Sequence, residues 1–436
     1  MPVLSSSSRR LTLGALATAA VLGAALLPAV ATSASAAIPS PTCHHSRAVA
    51  GFPITSQDLV APVTAPATLK AMIDGTLPDG VTLYSDSQRA YLHGTPTKAS
   101  TAQYAITIAI TEGGKTTTGS VECGLTVSPA PTVSRIAGKD RFEQSALLSK
   151  ATFSTAETVY LASGEKFPDA LSASSVAAEH SAPLLLTTTA RVTDEVVAEL
   201  KRLTPKNVVV VGGPLAVAPA VVDQVKAALG TTSTVTRIGG ADRFEVSRNL
   251  IGDHTFGIPA SDDVYIATGT NFPDALGASP VAALIDAPVL LVNGGATSLS
   301  APEKATLSAL GAKSTSIVGG PAAVGTAIES DLAKYYVMTR VSGEDRFEVN
   351  ARLNDSAFTK TVDTLYLASG SNFPDALSGG AAAGTQGNPL AITEKNCISG
   401  PIGFSIGRLA PAKIVILGGT ASLGTAIDSL TLCPTE

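Results

Sequence analysis

The stretch that decides the fold is Ile136-Ala137-Gly138-Lys139-Asp140-Arg141-Phe142-Glu143, because the chain repeats it twice more. It recurs as Ile238 to Glu245 and as Val341 to Glu348. Two further motifs recur in the same order: Phe-Pro-Asp-Ala-Leu at 167–171, 272–276 and 373–377, and Gly-Gly at 212–213, 319–320 and 418–419. The period of about 100 residues is longer than the roughly 20–50 of a solenoid repeat. Each copy is therefore predicted to be a small domain.

Within a copy, short apolar segments alternate with helical patterns. In the first copy the predicted strands are 158–162, 183–186 and 208–211, and the clearest predicted helices are 193–203 and 217–229. Apolar, β-branched strands that alternate with helices indicate a parallel sheet covered on both faces. Each copy is therefore predicted to be an α/β sandwich.

The segment before the repeats has a different pattern. Proline and threonine are frequent, and residues 104–110 alternate with period two. Gly113-Gly114 separates that strand from a second one at 116–126, which is a hairpin signal. The predicted organisation is multidomain, with a signal peptide at 1–36, an all-β sandwich at 37–132 and α/β repeats at 133–235, 236–338 and 339–436.

Composition excludes several classes of protein. The chain has 436 residues, of which 45% are hydrophobic and 15% charged, so it can bury a large core and is not disordered. The net charge of −5 argues against a nucleic-acid partner. The absence of Trp argues against sugar binding on broad aromatic platforms. Five scattered histidines leave little material for a zinc site, so neither metal nor cofactor is predicted.

Residues 1–36 have the pattern of an export signal. Arg9 and Arg10 precede an uncharged run at 11–30, and Ala34-Ser35-Ala36 fits a cleavage site. The alternative is a membrane anchor, because about 20 apolar residues can span a bilayer. Pro28 inside the run and the small-residue site after it favour cleavage, by a general or a twin-arginine route. The mature protein is then expected to be secreted and free of the membrane, and any surface attachment to be non-covalent.

Export agrees with the cysteines. The four cysteines Cys43, Cys123, Cys397 and Cys433 allow three pairings. We predict Cys43–Cys123 and Cys397–Cys433, because each pair then lies within one domain, and an oxidising compartment favours disulfides over free thiols.

The Asp-Arg-Phe-Glu motif contains an arginine that helix capping does not explain. Asp140 and Glu143 are spaced almost as in a capping box. A cation in the first helical turn opposes the helix dipole, so the arginine should have a partner. That partner is either a carboxylate, with Asp169 as the nearest candidate, or an anionic ligand held by the guanidinium. The arginines concerned are Arg141, Arg243 and Arg346.

The other two motifs fall where parallel strands end. Phe-Pro-Asp-Ala-Leu opens a helix, with proline suited to a helix start and aspartate to capping. Loops at the carboxyl ends of parallel strands form the ligand crevice of open α/β sheets. Gly-Gly amides can also cradle an anion, although such pairs are commonly only tight turns. The candidate ligand-binding residues that join the arginines are Ser163, Thr268, Ser369, Asp169, Asp274, Asp375, Gly212, Gly213, Gly319, Gly320, Gly418 and Gly419.

The sequence contains no convincing enzyme signature. Gly403-Phe404-Ser405-Ile406-Gly407 has the spelling of a nucleophile elbow, but Ser405 aligns with Glu199 inside a predicted helix and no histidine follows His254. Gly114-Lys115-Thr116 lacks the first glycine of a P-loop. The prediction is a protein without catalytic activity.

Residues 133–436 resemble the type 2 cell wall-binding repeats of Gram-positive bacteria. The resemblance rests on three copies of Arg-Ile/Val-x-Gly-x-Asp-Arg-Phe, Phe-Pro-Asp-Ala-Leu and a strand that ends in Gly-Gly. It implies toprim-like modules around a pseudo-threefold axis and non-covalent attachment to anionic secondary polymers of the wall. Carried over by motif, it points to the three arginines and to the loops at the three aspartates. The third copy departs from the pattern, because 397–407 replaces the charged helix.

Residues 38–130 more loosely resemble the Ig-like domains of bacterial surface proteins, through Leu77-Pro78-Asp79-Gly80-Val81 and His93-Gly94-Thr95-Pro96. The predicted function is therefore wall attachment that displays an Ig-like domain, and the expected partners include a protein bound by that domain. The expected ligand is an anionic wall polymer or peptidoglycan. The alternatives are an amidase-type wall hydrolase or autolysin modifier, and an adhesive or self-assembling surface protein.

Overall fold

The computed structural model describes residues 39–271 and 273–434, apart from the side chain of Phe167. The predicted signal peptide at 1–36 lies outside the described residues. Within the described part, no helix is both long enough and apolar enough to cross a bilayer.

The N-terminal domain is built from strands β1 to β6. Their bounds are Arg47–Val49, Thr68–Gly75, Val81–Ser85, Ala90–Gly94, Ser100–Glu112 and Lys115–Ser128. Four of them form a sheet in the order β1-β6-β5-β2, and β3 and β4 form a separate hairpin. The sheet is mixed, because β1 runs parallel to β6 while the other pairs are antiparallel. The Ig-like classification therefore stays a prediction.

The predicted β5–β6 hairpin is confirmed. Gly113 and Gly114 form its turn with φ values of 57° and 78°, a region in which a side chain is strained and glycine is not. The predicted Cys43–Cys123 disulfide is also present, and it ties the segment before β1 to strand β6.

The repeats contain strands β7 to β18 and helices α1 to α11. The strands are Thr132–Ile136, Thr158–Ser163, Leu184–Thr187, Asn207–Val211, Thr234–Ile238, Asp263–Thr268, Val289–Val292, Ser314–Val318, Val337–Val341, Thr364–Ser369, Leu390–Thr393 and Lys413–Leu417. The helices are Arg141–Thr152, Phe167–Glu179, Asp194–Leu203, Pro219–Leu229, Arg243–Ile251, Pro273–Ala283, Ala301–Leu310, Thr326–Leu332, Arg346–Ala357, Pro374–Thr385 and Gly400–Leu409. The predicted alternation of strands and helices is confirmed.

Each copy contributes to two sheets. The three four-stranded parallel sheets are ordered β11-β10-β8-β9, β13-β12-β14-β15 and β17-β16-β18-β7. The strand that begins a copy thus joins the sheet of the preceding copy, and β7 closes the ring by pairing with β18 of the last copy. The predicted boundaries follow the sequence repeat, whereas the sheets are offset from it by one strand.

The strands and outer helices have the composition that this layering requires. In β10 the four valines 208–211 are all fully buried, as expected for a parallel strand covered on both faces. In α3, Val196, Leu200 and Leu203 are buried along one side, which matches the predicted amphipathic helix.

Three helices rich in small residues pack together where the copies meet. They are α2, α6 and α10, the helices opened by Phe-Pro-Asp-Ala-Leu, and each contacts the other two. A Cβ on Gly384 of α10 would lie 2.7 Å from Ala178 Cβ of α2 and 3.0 Å from Ala283 Cβ of α6. These three residues are equivalent in the repeat, so they mark the pseudo-threefold axis. Small side chains are what allow the helices to approach this closely.

Candidate functional site

The predicted helix start at Asp-Arg-Phe-Glu is confirmed in all three copies. Asp140 accepts hydrogen bonds from the amides of Phe142 and Glu143, both at 2.9 Å. Glu143 accepts from the amide of Lys139. Asp242 and Asp345 cap α5 and α9 in the same way. The two acids of the motif are therefore explained by capping.

Each arginine of the Asp-Arg-Phe-Glu motif donates a hydrogen bond within its own copy. Arg141 Nη1 donates to the carbonyl oxygen of Gly164 at 2.6 Å, and Arg243 and Arg346 donate to Gly269 and Gly370 at 2.6 and 2.7 Å. This acceptor was not among the predicted partners, which were a carboxylate and a ligand. The bond fixes the loop that leads from the strand into Phe-Pro-Asp-Ala-Leu.

Beyond that bond, the arginine faces the preceding copy. The charge of Arg243 acts on Asp169, that of Arg346 on Asp274 and that of Arg141 on Asp375. We call these pairs the first, second and third junctions. At the third junction, the Arg141 guanidinium also lies 5.7 Å from the ring centre of Phe373. The sequence suggested one site per copy, whereas each junction combines two copies.

The aspartates of the junctions lie against the first glycine of each Gly-Gly pair. A Cβ on Gly212, Gly319 or Gly418 would lie 2.2–2.5 Å from the nearest carboxylate oxygen. The same glycines have φ between 102° and 115°. The predicted capping role of these aspartates is not seen, since Asp169 and Asp375 lie inside the first turn and neither helix has a side-chain cap.

Two of the junctions open into cavities. The cavity of the first has a volume of about 550 Å³ and is lined by Lys166, Asp169, Gly213 and Arg243, among others. That of the third has about 230 Å³ and is lined by Lys139, Arg141, Asp375, Gly418 and Gly419. The first lies within the roughly 300–1,000 Å³ typical of ligand pockets.

The predicted hydroxyl donors do not line these cavities. Ser163 is fully buried, and its Oγ accepts hydrogen bonds from the amides of Glu165 and Lys166. Thr268 and Ser369 accept from the amides of Thr270 and Ser371 in the same way. They shape the loop, and their contact with a ligand stays a prediction.

A second set of arginines was missed from the list of site residues. Arg135, Arg237 and Arg340 lie three residues before the glycine that the motif shares in all copies (138, 240 and 343). Each donates at 2.7–2.8 Å to the carbonyl of a Gly-Gly pair in the preceding copy. Their recurrence in all three copies is the sequence signal that could have identified them as site residues. They stabilise the glycine turn that forms one wall of each junction.

The junctions differ in charge. The first contains Lys166, the third contains Lys139, and the second has Asn271 and Glu344 at the equivalent positions. The second is therefore the least favourable for an anion. Within residues 39–271 and 273–434, no three His, Cys, Asp or Glu side chains come together in a way that could hold a metal ion.

Burial raises the pKa of the junction carboxyls. The pKa of Asp169 rises to about 6, with the charge of Arg243 opposing the shift. The pKa of Asp274 also rises to about 6, opposed by Arg346. Burial likewise raises the pKa of Asp375, opposed by the hydrogen bond from Ser422 and by Arg141.

We therefore expect Asp169→Asn to stabilise the protein at neutral pH. Because the folded-state pKa lies above the unfolded value of about 3.9, the stability that this carboxyl contributes is full below about pH 4 and lost as pH rises through about 6. At pH 7.5 the variant should be about 1–3 kcal/mol more stable than the parent protein, and the difference should vanish near pH 4. Urea unfolding at pH 4, 6 and 7.5 measures it. Asp223→Asn, at an exposed position in α4, is the control, and a difference independent of pH would contradict the prediction.

A closed ring of three parallel α/β modules, with a recurring arginine–aspartate pair at each junction between copies, defines a protein built from structural repeats. The chain belongs to the Cell wall binding domain 2 (CWB2) family, whose model matches residues 135–222, 237–329 and 340–428, more than half of the chain. The predicted family membership is therefore confirmed, and the chain carries three cell wall-binding repeats.

The comparisons also identify curated relatives in Bacillus subtilis (strain 168). N-acetylmuramoyl-L-alanine amidase LytC is 28% identical over 295 residues, which cover 68% of this chain and 57% of LytC. Amidase enhancer is 24% identical over 296 residues, which cover 68% of this chain and 39% of that protein. The chain therefore spans about half or less of the length of these relatives.

Solved structures of similar fold come from Clostridium difficile. Cwp6 has a TM-score of 0.62 at 22% identity and covers 92% of this chain and 69% of its own. Cwp8 has a TM-score of 0.60 at 21% identity, with coverage of 84% and 62%. At this identity the likeness concerns the fold alone.

Proposed function

We propose that this protein attaches non-covalently to the bacterial cell wall by binding an anionic wall polymer at the junctions between its repeats. The observation that carries the proposal is the recurrence of one arrangement around a closed ring, in which a half-buried arginine lies beside a glycine turn. Two of these three junctions also open into cavities. Several weak sites that bind one polymer give an avidity higher than any single site provides.

The net charge of the protein is negative, so an anionic ligand must be held by positive groups concentrated at particular sites. Removal of Arg9 and Arg10 with the signal peptide would leave 28 basic and 35 acidic side chains, a balance of −7. A polyanion is then attracted only close to the junctions, and salt should weaken binding because the contacts are partly exposed. The first and third junctions, which contain lysines, are the stronger candidates.

Catalysis is not part of the proposal. The segment shared with LytC makes up 57% of that amidase, so LytC has residues beyond the shared part. Wall lysis by the purified protein that is lost on adding a chelator would favour the hydrolase alternative. Wall binding that survives deletion of residues 38–130 would separate anchoring from any adhesive role of the N-terminal domain.

Arg243→Gln should weaken wall binding about tenfold, because a charge-assisted hydrogen bond typically contributes about 1.5–3 kcal/mol. The measurement is co-sedimentation with purified walls, before and after mild acid removal of the secondary polymers. Binding of the parent protein should disappear on stripping. Arg248→Gln, in the same helix but facing another surface, is the matched control.

Arg346→Gln should have a smaller effect than Arg243→Gln, because Glu344 already makes the second junction unfavourable for an anion. Circular dichroism checks that each variant is folded. Unfolding of the Arg243 variant would assign the arginine a purely structural role, and unchanged binding by a folded variant would overturn the proposal. Binding that survives stripping would identify peptidoglycan as the ligand.

A further inference from the structure

A separate cavity of about 250 Å³ lies where the N-terminal domain contacts the third copy. His45 and Arg47 line it from the β1 segment, and Asp355 and Arg408 line it from α9 and α11. Arg47 spans the contact by donating to the carbonyl oxygen of Thr359 at 3.0 Å. The cavity is distinct from the three junctions, and no repeat motif contributes to it.

Two residues that line this cavity each have one buried polar atom without a hydrogen-bond partner. The atoms are Nε2 of His45, whose residue is 8% exposed, and Nε of Arg408. Buried polar groups are normally paired, and an unpaired one destabilises the folded protein. The other nitrogens of Arg408 are occupied by the carbonyl oxygen of Phe358 and by Asp355.

In the first copy, the arginine equivalent to Arg408 has a carboxylate partner for its Nε. The equivalent residue, Arg202, donates its Nε to Glu199 Oε2 at 2.7 Å, and it donates to the carbonyls of Ser154 and Phe153. In the third copy Ser405 stands in place of Glu199. Its hydroxyl donates to Asp355 at 2.8 Å. Serine has no carboxylate, so it does not replace Glu199 as the partner of the arginine. The third copy therefore has no glutamate to pair with Arg408 Nε, while Asp355 pairs with another nitrogen of the same guanidinium.

We propose that this cavity binds a small oxyanion, a phosphate or carboxylate group, through Arg408 and His45. The group accepts the hydrogen bond of Arg408 Nε, as the Glu199 carboxylate accepts that of Arg202 Nε in the first copy. The volume is below the roughly 300–1,000 Å³ of pockets for larger ligands, so it suits a single anionic group with at most one sugar unit. Planar guanidinium groups bind both kinds of oxyanion.

The histidine couples this binding to pH. Burial lowers the pKa of His45, opposed by a backbone hydrogen bond at Thr55 and reinforced by His44. The charged and titratable groups that line the cavity beside it are His44, Arg47, Asp355 and Arg408. A bound oxyanion favours the imidazolium, so binding should be tighter at pH 6 than at pH 8. Glucuronate is the probe for this comparison, because its own charge does not change in that range.

The test is calorimetric titration of residues 37–436 with inorganic phosphate and with glucuronate at pH 6. The parent protein should bind at one saturable site, and Asp355→Asn should bind at least as tightly because it removes a competing carboxylate. Adding Ser405→Glu to that variant restores the first-copy arrangement and should weaken binding at least about tenfold. His45→Gln should also weaken it, whereas His93→Gln, in the same domain but outside the cavity, should not.

The outcomes separate this site from the junctions. Preference for phosphate would identify a phosphoryl ligand, and preference for glucuronate a sugar acid, and either supports the proposal. Absence of binding to the parent protein would overturn it, as would unchanged binding by the Ser405→Glu, Asp355→Asn variant. Binding that is lost with Arg243→Gln and kept with His45→Gln would assign the anion to the first junction and would likewise overturn it.

Discussion

Gly384→Leu should lower the free energy of unfolding by about 3 kcal/mol or more. Overpacking a well-filled core typically costs about 1–3 kcal/mol, and four added carbons at the meeting point of three helices should exceed that range. Even the first added atom would meet Ala178 Cβ at 2.7 Å and Ala283 Cβ at 3.0 Å. Neither neighbour can rotate away, because an alanine Cβ is fixed by the backbone.

The measurement is the midpoint and slope of unfolding in guanidinium chloride. Gly400→Leu is the matched control, since it makes the same substitution in a helix of the same copy where a Cβ meets nothing within 4 Å. Its midpoint should stay close to that of the parent protein. Equal midpoints for the two variants would mean that α2, α6 and α10 do not meet at Gly384.

Gly319→Ala should cost about 1–3 kcal/mol, whereas Gly320→Ala should be nearly neutral. Gly319 has φ of 105°, which is strained for any residue with a Cβ, and the new methyl would lie 2.3 Å from Asp274 Oδ2. Gly320 has neither feature, because its φ is ordinary and a Cβ there meets nothing within 4 Å. The two variants add the same methyl group at adjacent positions, so they differ only in the backbone dihedral and in the contact with Asp274.

Thermal unfolding of both variants measures the difference. A second measurement in an Asp274→Ala background separates the two causes, since that change removes the contact with the carboxylate and leaves the backbone strain. Most of the cost should remain, because an aspartate can turn aside and a backbone dihedral cannot. Equal losses for Gly319→Ala and Gly320→Ala would contradict the described turn.

Much of the local structure could be predicted because its causes are local. Asp140 caps its helix through atoms two and three residues away, and Gly113-Gly114 forms its hairpin turn from its own dihedral freedom. The disulfide pairs followed from domain membership, and the second one, Cys397–Cys433, is present as predicted. Ser405 lies in helix α11, as its alignment with Glu199 indicated.

The partners of the site residues could not be predicted in the same way. Arg141 donates to Gly164 and its charge acts on Asp375, residues that are 23 and 234 positions away in the sequence. The repeat pattern identified the arginine and the aspartate, but it assigned both to one copy. Lys139 and Lys166 were not singled out, because their contribution depends on which copies become neighbours.

The sequence by itself determined the class of fold, the number of copies and the positions of the recurring motifs, since hydrophobic period, capping and glycine dihedrals act over a few residues. Tertiary structure alone decided that β7 closes the ring against β18 and that each cleft combines two copies. The physical reason is that a parallel strand can pair with any sheet edge of matching register. The choice between a copy's own sheet and that of its neighbour is therefore visible only in the pairing itself, as when Thr132 pairs with Lys413.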